Sequence, residues 1–359
     1  MLNNKVGVHI LFTQELDAAG RLVNTSNGDW GYVTIPIQAG DRNLEKWQKF
    51  MDDCRKLHLT PIIRLATEGD YFNTAVWRKP TEVDVLDFAN FLNSLQWPVK
   101  NRYVVVFNEV NRGDEWEGNP NPQEYARILN YAADVFKLAN EDFFIISAGL
   151  DNASINIKNK SFNQYDFMVQ TDRTIPGIFG KIDGLGSHSY PNPAFSKPPW
   201  ITTNDSVSSF KYERDLALRL SGKKLPVFIT ETGWSDNRLS KNQISSYFTY
   251  AFESVWSDPG VAAVTTFLLQ AGTEPYLQFS LLDGNGNLNE ISDTIQKLPK
   301  IAGKPTVNYN TELSSISQQD KNTPLKAFPK KIQYGNPAYE KVNGVAVFLK
   351  WILKLPPDL

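Results

Sequence analysis

Runs of consecutive apolar residues recur along the first three quarters of the chain, separated by segments with a different apolar spacing. There are eight such runs, at 6–11, 32–37, 61–66, 103–109, 143–150, 182–190, 226–231 and 262–269. Most are continuous and do not alternate apolar with polar residues. Continuous runs of this length are typical of parallel strands that helices cover on their outer face.

The segments between the runs carry a helical spacing. In 122–139 the apolar positions fall on one helical face, and Pro122 stands at the start, where a missing N–H is tolerated. Segments 83–95 and 242–256 show the same spacing. The first gap, 12–31, is less regular, and its pattern predicts a hairpin or loop in place of a full helix.

Strands alternating with helices over about 300 residues predict a (β/α)8 barrel, a TIM barrel of the α/β class, over residues 1–300. A doubly wound sheet is the alternative, but neither GxGxxG nor GxxxxGK[ST] occurs in the chain. Residues 301–359 are rich in Pro, Lys, Asn and Ser and read as an irregular C-terminal extension, docked on the barrel or partly ordered. Its last segment, 342–359, is apolar but too short to span a bilayer; contact with a membrane surface is the rival interpretation.

Charge and cysteine content narrow the range of partners. The chain has 37 basic and 39 acidic residues, a formal net charge of −2, which does not favour nucleic acid or an anionic membrane as the main partner. The single cysteine, Cys54, excludes an internal disulfide and falls on the apolar face of a helical pattern, as a buried structural thiol does. We expect a monomer with no membrane span. The chain shows no signal peptide, so the compartment stays open: cytoplasmic, or secreted if an export signal is missing from this sequence.

Two of the predicted strands end in a glutamate. Glu109 follows the run at 103–109 and Glu231 closes the run at 226–231. In a (β/α)8 barrel the catalytic groups lie at the C-terminal ends of the strands. A carboxylate flanked by apolar strand is costly unless it is paired or hydrogen-bonded, and strands four and seven lie across the barrel axis from each other. Glycoside hydrolysis needs two such carboxyls, one as acid and one as nucleophile or base, and we expect a separation of about 5–5.5 Å.

Further polar residues stand at strand ends. They are Asn108 beside Glu109, Arg64 on strand three, His188 and Tyr190 on strand six and His9 on strand one. Asn108 can donate a hydrogen bond to a sugar hydroxyl, and Tyr190 can donate its O–H to the nucleophile. His9 either points into the cleft or is a satisfied core histidine.

The motifs "FNEVN", "HSY" and "ITETGW" resemble those of the clan A glycoside hydrolases, and the resemblance covers about residues 5–298. It implies a retaining (β/α)8 enzyme with Glu109 as acid/base, Asn108 as partner of the sugar 2-hydroxyl, Glu231 as nucleophile, and His188 and Tyr190 supporting Glu231. The individual family is not resolved.

The sequence departs from the clan pattern in two places. Many members carry an arginine at the end of strand two, where this chain reads "YVTIPI", so Arg64 on strand three is the candidate substitute. Many members also place a tryptophan after strand eight, where this chain offers Phe267 or Gln270.

Aromatic and acidic residues near the strand ends suggest further contacts. Trp116, Trp200 and Trp234 follow strands four, six and seven, and each either stacks on a sugar ring or packs in a loop. The acidic cluster in 112–122 is interpreted as a surface loop in preference to a calcium site, and His58 as a surface residue at a helix end. Three histidines without HxH or HExxH argue against a catalytic metal, and we expect no cofactor.

The leading hypothesis is therefore a retaining glycosidase acting on an oligo- or polysaccharide. A carbohydrate-binding barrel without catalysis is the alternative. A (β/α)8 lyase that handles phosphate would need a glycine-rich loop after strands seven and eight, and this sequence supplies only one glycine in each. The sugar, the linkage and endo or exo action are not set by the sequence.

Overall fold

Eight parallel strands form the centre of the computed structural model, which describes residues 4–67, 76–272 and 276–308. The strands are β1 (Val6–His9), β2 (Gly31–Gln38), β3 (Leu59–Ala66), β4 (Arg102–Val106), β5 (Phe143–Ser147), β6 (Leu185–His188), β7 (Val227–Glu231) and β8 (Val261–Thr266). Their spatial order is β5-β4-β3-β2-β1-β8-β7-β6. A parallel bridge between Ile146 and Gly184 joins β5 to β6. The predicted (β/α)8 barrel is confirmed.

Helices follow the strands and cover the outside of the barrel. They are α1 (Leu16–Val23), α2 (Leu44–Lys56), α3 (Glu82–Ser94), α4 (Pro122–Ala139), α5 (Gln164–Thr174), α6 (Ile178–Lys181), α7 (Ser209–Ser221), α8 (Lys241–Tyr250) and α9 (Glu290–Lys297). A π-helical turn, Ala251–Val255, continues α8. None of the helices among the described residues is long and apolar enough to cross a membrane.

Local capping explains where the predicted helices begin. Asn121 accepts hydrogen bonds from the N–H groups of Gln123 and Glu124, and α4 starts at Pro122 as expected. Thr81 and Asp84 form a reciprocal capping box at the start of α3.

The prediction of a hairpin or loop over 12–31 was wrong. A 3-10 turn, Thr13–Glu15, leads into the eight-residue helix α1. Leu16, Ala19, Leu22 and Val23 of this helix are buried against the barrel. The helix is so short that its apolar stripe has only four members, which is why the pattern is weak in the sequence.

The strands alternate between an inner and an outer face. Outward residues such as Val104 and Ile145 pack against the helices, together with Cys54 of α2, which is fully buried. Inward residues form a separate cluster at the N-terminal end of the barrel: Tyr32, Ile62, Tyr103, Val105, Ile146, Phe228, Ala262 and Ala263. At the C-terminal end the inward side chains are polar. In a (β/α)8 barrel the N-terminal end contributes stability and the C-terminal end carries the functional groups.

The start of the predicted extension lies along the N-terminal end of the barrel. Ala302 bridges to Asp29 just before β2, and Val307 bridges to Val99 just before β4. The side chain of Asn308 donates to the carbonyl of Trp97. Residues 309–359, including the apolar segment 342–359, lie outside the described residues.

Candidate active site

The C-terminal ends of β4 and β7 bring Glu109 and Glu231 together. Glu231 is the last residue of β7, and Glu109 follows β4 by three residues. Phe107 and Glu109 have left-handed backbone, with φ of +70° and +34°, a conformation that costs non-glycine residues of order 1–3 kcal/mol. This turn directs the Glu109 carboxyl inward, so that an oxygen of Glu109 and one of Glu231 lie within 4.8 Å of each other. Both residues are less than one-tenth exposed.

Two donors hold the Glu231 carboxyl from opposite sides. Arg64 Nη1 donates to Oε1 at 2.8 Å, and the Tyr190 hydroxyl donates to Oε2 at 3.1 Å. Burial and the charge of Glu231 raise the pKa of Tyr190 well above its usual value, so its O–H remains a donor. The two hydrogen bonds fix the orientation of the Glu231 carboxyl.

Arg64 reaches the site because side chains along β3 alternate between the inside and the outside of the barrel. It lies two residues after Ile62, whose side chain is inside the barrel, so it too points inward. Besides Glu231, Arg64 Nη1 donates to Asn108 Oδ1 at 2.6 Å. The Asn108 amide in turn donates to Glu115 Oε1 at 2.9 Å. Asn108 is thus held in one orientation beside the two glutamates.

His188 lies between the two glutamates and is closer to Glu109 than to Glu231, the residue that the resemblance implied it supports. Its Nδ1 lies 3.0 Å from Glu109 Oε1 and 3.7 Å from Glu231 Oε2. Gly149 makes room for the ring, because a Cβ there would lie 2.1 Å from His188 Cδ2. Burial by itself lowers the pKa of His188, but the charges of Glu231 and Glu109 outweigh it and raise that pKa. His188 therefore contacts Glu109 more closely than it contacts Glu231.

A second arginine, which sequence reasoning missed, binds Glu109. Arg112 Nη1 donates to Glu109 Oε2 at 3.0 Å, and its Nε and Nη2 donate to the two oxygens of Asp114. Asp151, after β5, lies 4.0 Å from the same Nη1. Burial and the neighbouring charge of Glu109 raise the pKa of Asp151. The only sequence signal was the position of Arg112, three residues after the glutamate.

His9 lies beneath Glu231 and does not line the cavity. Its ring is fully buried, with Nε2 3.7 Å from Glu231 Oε1. Neither ring nitrogen has a hydrogen-bond partner among the described residues. Burial, Arg64 and His188 all lower the pKa of His9, which keeps the ring neutral. The ring is buried, as in a core histidine, but within the described part of the chain it lacks the hydrogen bonds of the satisfied core histidine that the sequence analysis offered.

The cavity above the glutamates has an aromatic wall. The aromatic residues that line it are Trp77, Phe107, Tyr190, Phe195, Phe267, Tyr276 and Phe279. Phe267, joined to Leu268 by a cis peptide bond, lies after β8, at the place where the clan pattern has a tryptophan. Gln270 is exposed and does not line the cavity. Trp77 had no sequence signal, because it follows no strand directly.

The tryptophans predicted to stack on sugar lie elsewhere. Trp234 is 2% exposed, donates its Nε1–H to the Lys197 carbonyl and packs against Trp256. Trp116 is 1% exposed and donates to Glu124 Oε2. Trp200 is half exposed but outside the cavity lining. The indole N–H groups of Trp234 and Trp116 are both bonded inside the protein, as in side chains that pack within loops.

Glu109, His188 and Glu231 are close enough together to bind a metal ion, since each offers one ligand atom within 4.8 Å of the others. Arg64 and Arg112 already place two positive charges within 3.0 Å of these carboxylates. A further cation would lie against both guanidinium groups, so we assign no metal to the site.

Comparison with known proteins gives matches among solved structures. Neither a protein-family model nor a curated protein matches the chain. Among solved structures, it is similar to a family 39 glycoside hydrolase from the gut symbiont Bacteroides cellulosilyticus WH2, with a TM-score of 0.58 and 15% identity over 82% of this chain. The match spans 63% of that longer chain.

In two further similar structures, the match covers a larger share of the other chain. A GH128 (subgroup II) endo-β-1,3-glucanase from Sorangium cellulosum gives a TM-score of 0.55 at 16% identity, over 82% of this chain and 98% of the other. A GH5_18 protein from Streptomyces cattleya, in complex with Manβ1-4GlcNAc, gives 0.57 at 13% identity, over 82% and 79%. At these identities the similarity establishes the fold alone, a (β/α)8 barrel.

Proposed function

We propose that this protein is a retaining glycoside hydrolase in which Glu231 is the nucleophile and Glu109 the acid/base. One observation carries the proposal: carboxyl oxygens of the two residues lie within 4.8 Å of each other at the C-terminal end of the barrel. Retaining enzymes hold the two carboxyls about 5–5.5 Å apart, whereas inverting enzymes need about 6.5–9.5 Å to admit a water.

In the first step, Glu231 attacks the anomeric carbon while the bond to the leaving oxygen breaks. Arg64 and Tyr190 donate to the two oxygens of Glu231 and orient its carboxyl for this attack. Glu109 gives its proton to the leaving oxygen, which departs as an alcohol. A covalent glycosyl-enzyme ester on Glu231 remains.

In the second step, water attacks the anomeric carbon and Glu109 takes its proton. The ester bond to Glu231 breaks, and the sugar leaves with the configuration it had at the start. His188, 3.0 Å from Glu109 Oε1, orients the carboxyl in both steps.

The cavity and the similar structures together support a proposal for the substrate class. Aromatic side chains such as Trp77 and Tyr276 offer faces and edges for pyranose rings. One similar structure is named as an endo-β-1,3-glucanase and another is bound to Manβ1-4GlcNAc. We infer a β-linked oligo- or polysaccharide of gluco- or manno-configured units.

The test is a panel of β-linked gluco- and manno-oligosaccharides and aryl β-glycosides, with wild type beside Glu231→Ala and Glu109→Ala. Glu231→Ala should lose activity by several orders of magnitude and regain it with azide, giving a glycosyl azide of inverted configuration. Glu109→Ala should lose most on substrates with poor leaving groups, since only these need the acid.

Glu117→Ala is the matched control. Glu117 lies in the loop after β4 that also carries Arg112 and Asp114, but its side chain is 55% exposed. It should behave as wild type. Wild-type rates in both active-site variants, or a first-formed product of inverted configuration, would overturn the proposal. Binding of a sugar without turnover by wild type would favour a carbohydrate-binding barrel.

A further inference from the structure

Arg112 is shared between three carboxylates. Its Nε and Nη2 form a fork-to-fork pair with Asp114, at 3.0 and 2.6 Å. The remaining nitrogen, Nη1, is 3.0 Å from Glu109 Oε2 and 4.0 Å from Asp151 Oδ2. The pair with Asp114 occupies Nε and Nη2, and Nη1 is left between two possible acceptors.

The contacts of Glu109 suit its ionised form. Oε2 accepts from Arg112, and Oε1 faces His188 at 3.0 Å. An acid that protonates a leaving oxygen must carry its proton on an oxygen directed at the substrate. Protonation removes the negative charge that attracts Arg112, so the ion pair between Arg112 and Glu109 weakens whenever Glu109 holds a proton.

Arg112 is the partner able to move. Its side chain is 36% exposed and lines the cavity, whereas the His188 ring is 1% exposed and is wedged against Gly149. A shift of Nη1 by about one ångström towards Asp151 would exchange one carboxylate for the other, within the range of a normal charged hydrogen bond.

Asp151 is fixed as the receiving carboxylate. Its oxygens accept from the N–H of Ala153 and the hydroxyl of Ser154, each at 2.8 Å. The buried side chain of Asn111 bonds both the N–H and the carbonyl of Asp151, which ties the loop after β5 to the loop after β4. The Asp151 carboxyl therefore keeps its place while Arg112 moves.

From this geometry we propose that Arg112 is a positioning residue that passes between Glu109 and Asp151 as Glu109 loses and regains its proton. The inference rests on the acid/base role proposed for Glu109. When Glu109 holds a proton, Nη1 pairs with Asp151. When the proton has gone to the leaving oxygen, Nη1 returns to the Glu109 carboxylate, and when water gives up its proton, the exchange reverses. No bond other than that to the proton changes at Glu109.

The test is the pH dependence of kcat/KM on the best oligosaccharide of the panel, in the intact protein. Several charged or titratable groups face Glu109 and bear on this profile: His188, Glu231, Arg112, Asp151 and Tyr276. Arg112→Met should move the basic limb to higher pH by about one unit or more, because a positive charge next to the ionised form is lost. Asp151→Asn should move the same limb to lower pH, because among the described residues Glu109 is then the one carboxylate left beside Arg112 Nη1.

The double variant separates the proposed exchange from a simple effect of charge. If Asp151 acts through Arg112, the shift caused by Asp151→Asn should largely disappear in the Arg112→Met background. A shift of equal size in both backgrounds would mean that Asp151 acts on Glu109 directly, and the proposal would be overturned. An unmoved limb in Arg112→Met would overturn it as well.

Two further variants keep the experiment interpretable. Arg112→Lys retains the positive charge, so its basic limb should stay near that of wild type, which checks that a shift in Arg112→Met is not a consequence of misfolding. Glu109→Ala distinguishes a failure of the proposed acid/base role from a failure of the proposed Arg112 exchange. If it keeps wild-type activity towards substrates with poor leaving groups, the proposed function fails. If it loses that activity while the limbs stay put in the Arg112 and Asp151 variants, only the present inference fails.

Discussion

Replacement of Tyr190 by phenylalanine removes a single oxygen from the site. The Tyr190 ring is 8% exposed and lies against Phe195, Phe267 and Phe279 in edge or tilted contacts. A phenylalanine ring keeps these contacts, so the fold around it should be retained. What is lost is the O–H donated to Glu231 Oε2 at 3.1 Å.

The expected effect on rate follows from the value of that hydrogen bond. A hydrogen bond to a charged group contributes about 1.5–3 kcal/mol. Since about 1.4 kcal/mol corresponds to a factor of ten in rate, the turnover number should fall by about 10- to 150-fold. Arg64 still holds Oε1, so the variant should lose less activity than Glu231→Ala. KM should change little, because the lost donor acts on the nucleophile.

The assay is steady-state hydrolysis of the aryl β-glycoside that the wild type cleaves best, with thermal melting to confirm the folded fraction. Tyr247→Phe is the matched control: Tyr247 packs against Trp200 and Trp234, outside the cavity lining. It should leave kcat unchanged. If Tyr190→Phe keeps kcat within about twofold of wild type while remaining folded, the hydroxyl does not orient Glu231 and the reasoning fails.

Two further predictions concern stability. Trp234→Phe should lower the free energy of unfolding by about 1–3 kcal/mol in urea, because the Lys197 carbonyl loses its donor, yet leave KM unchanged; a raised KM would restore Trp234 as a sugar contact. The second concerns Glu213, which is 2% exposed and whose pKa burial raises to about 7, against the hydrogen bonds of Ser187 and Ser209. Because this folded-state pKa lies above the unfolded value, the carboxyl stabilises the fold below about pH 4.5 relative to higher pH, and that advantage is lost as pH rises to about 7. The stability difference between wild type and Glu213→Gln should therefore shift by up to about 3 kcal/mol across this window, and a difference independent of pH would contradict it.

The strands were predictable because each is a local pattern. A parallel strand in a barrel is covered on both faces, so its sequence is apolar throughout, and the runs at 61–66 and 226–231 correspond to β3 and β7. The two glutamates were found by the same reasoning, since a carboxylate that interrupts such a run stands at the mouth of the barrel. The helix α4 was read correctly from Pro122 to Ala139 because it is long and has a clear N-cap.

Burial of the tryptophans was not predictable in this way. Trp116 and Trp234 follow strands, as sugar-binding residues often do. Their orientation, however, depends on the hydrogen-bond acceptors of their indole N–H groups, which the loops bring into place. The acceptor for Trp234 is the carbonyl of Lys197, in the loop after β6. No periodicity links these two positions, so sequence alone left both stacking and packing open.

The partners of the two glutamates differ in how they are specified. Glu231 is held by Arg64 and Tyr190, which lie 167 and 41 residues away in sequence, and only closure of the barrel brings them together. Arg112 is three residues from Glu109, yet the same reasoning passed over it. A regular strand would point residues three apart to opposite faces. The contact exists because the chain leaves the strand after Val106 and takes left-handed backbone at Phe107 and Glu109. That turn is unfavourable for both residues, and a conformation retained at such a cost beside a candidate acid/base is more readily explained by the placement of Glu109 and Arg112 than by the needs of the fold.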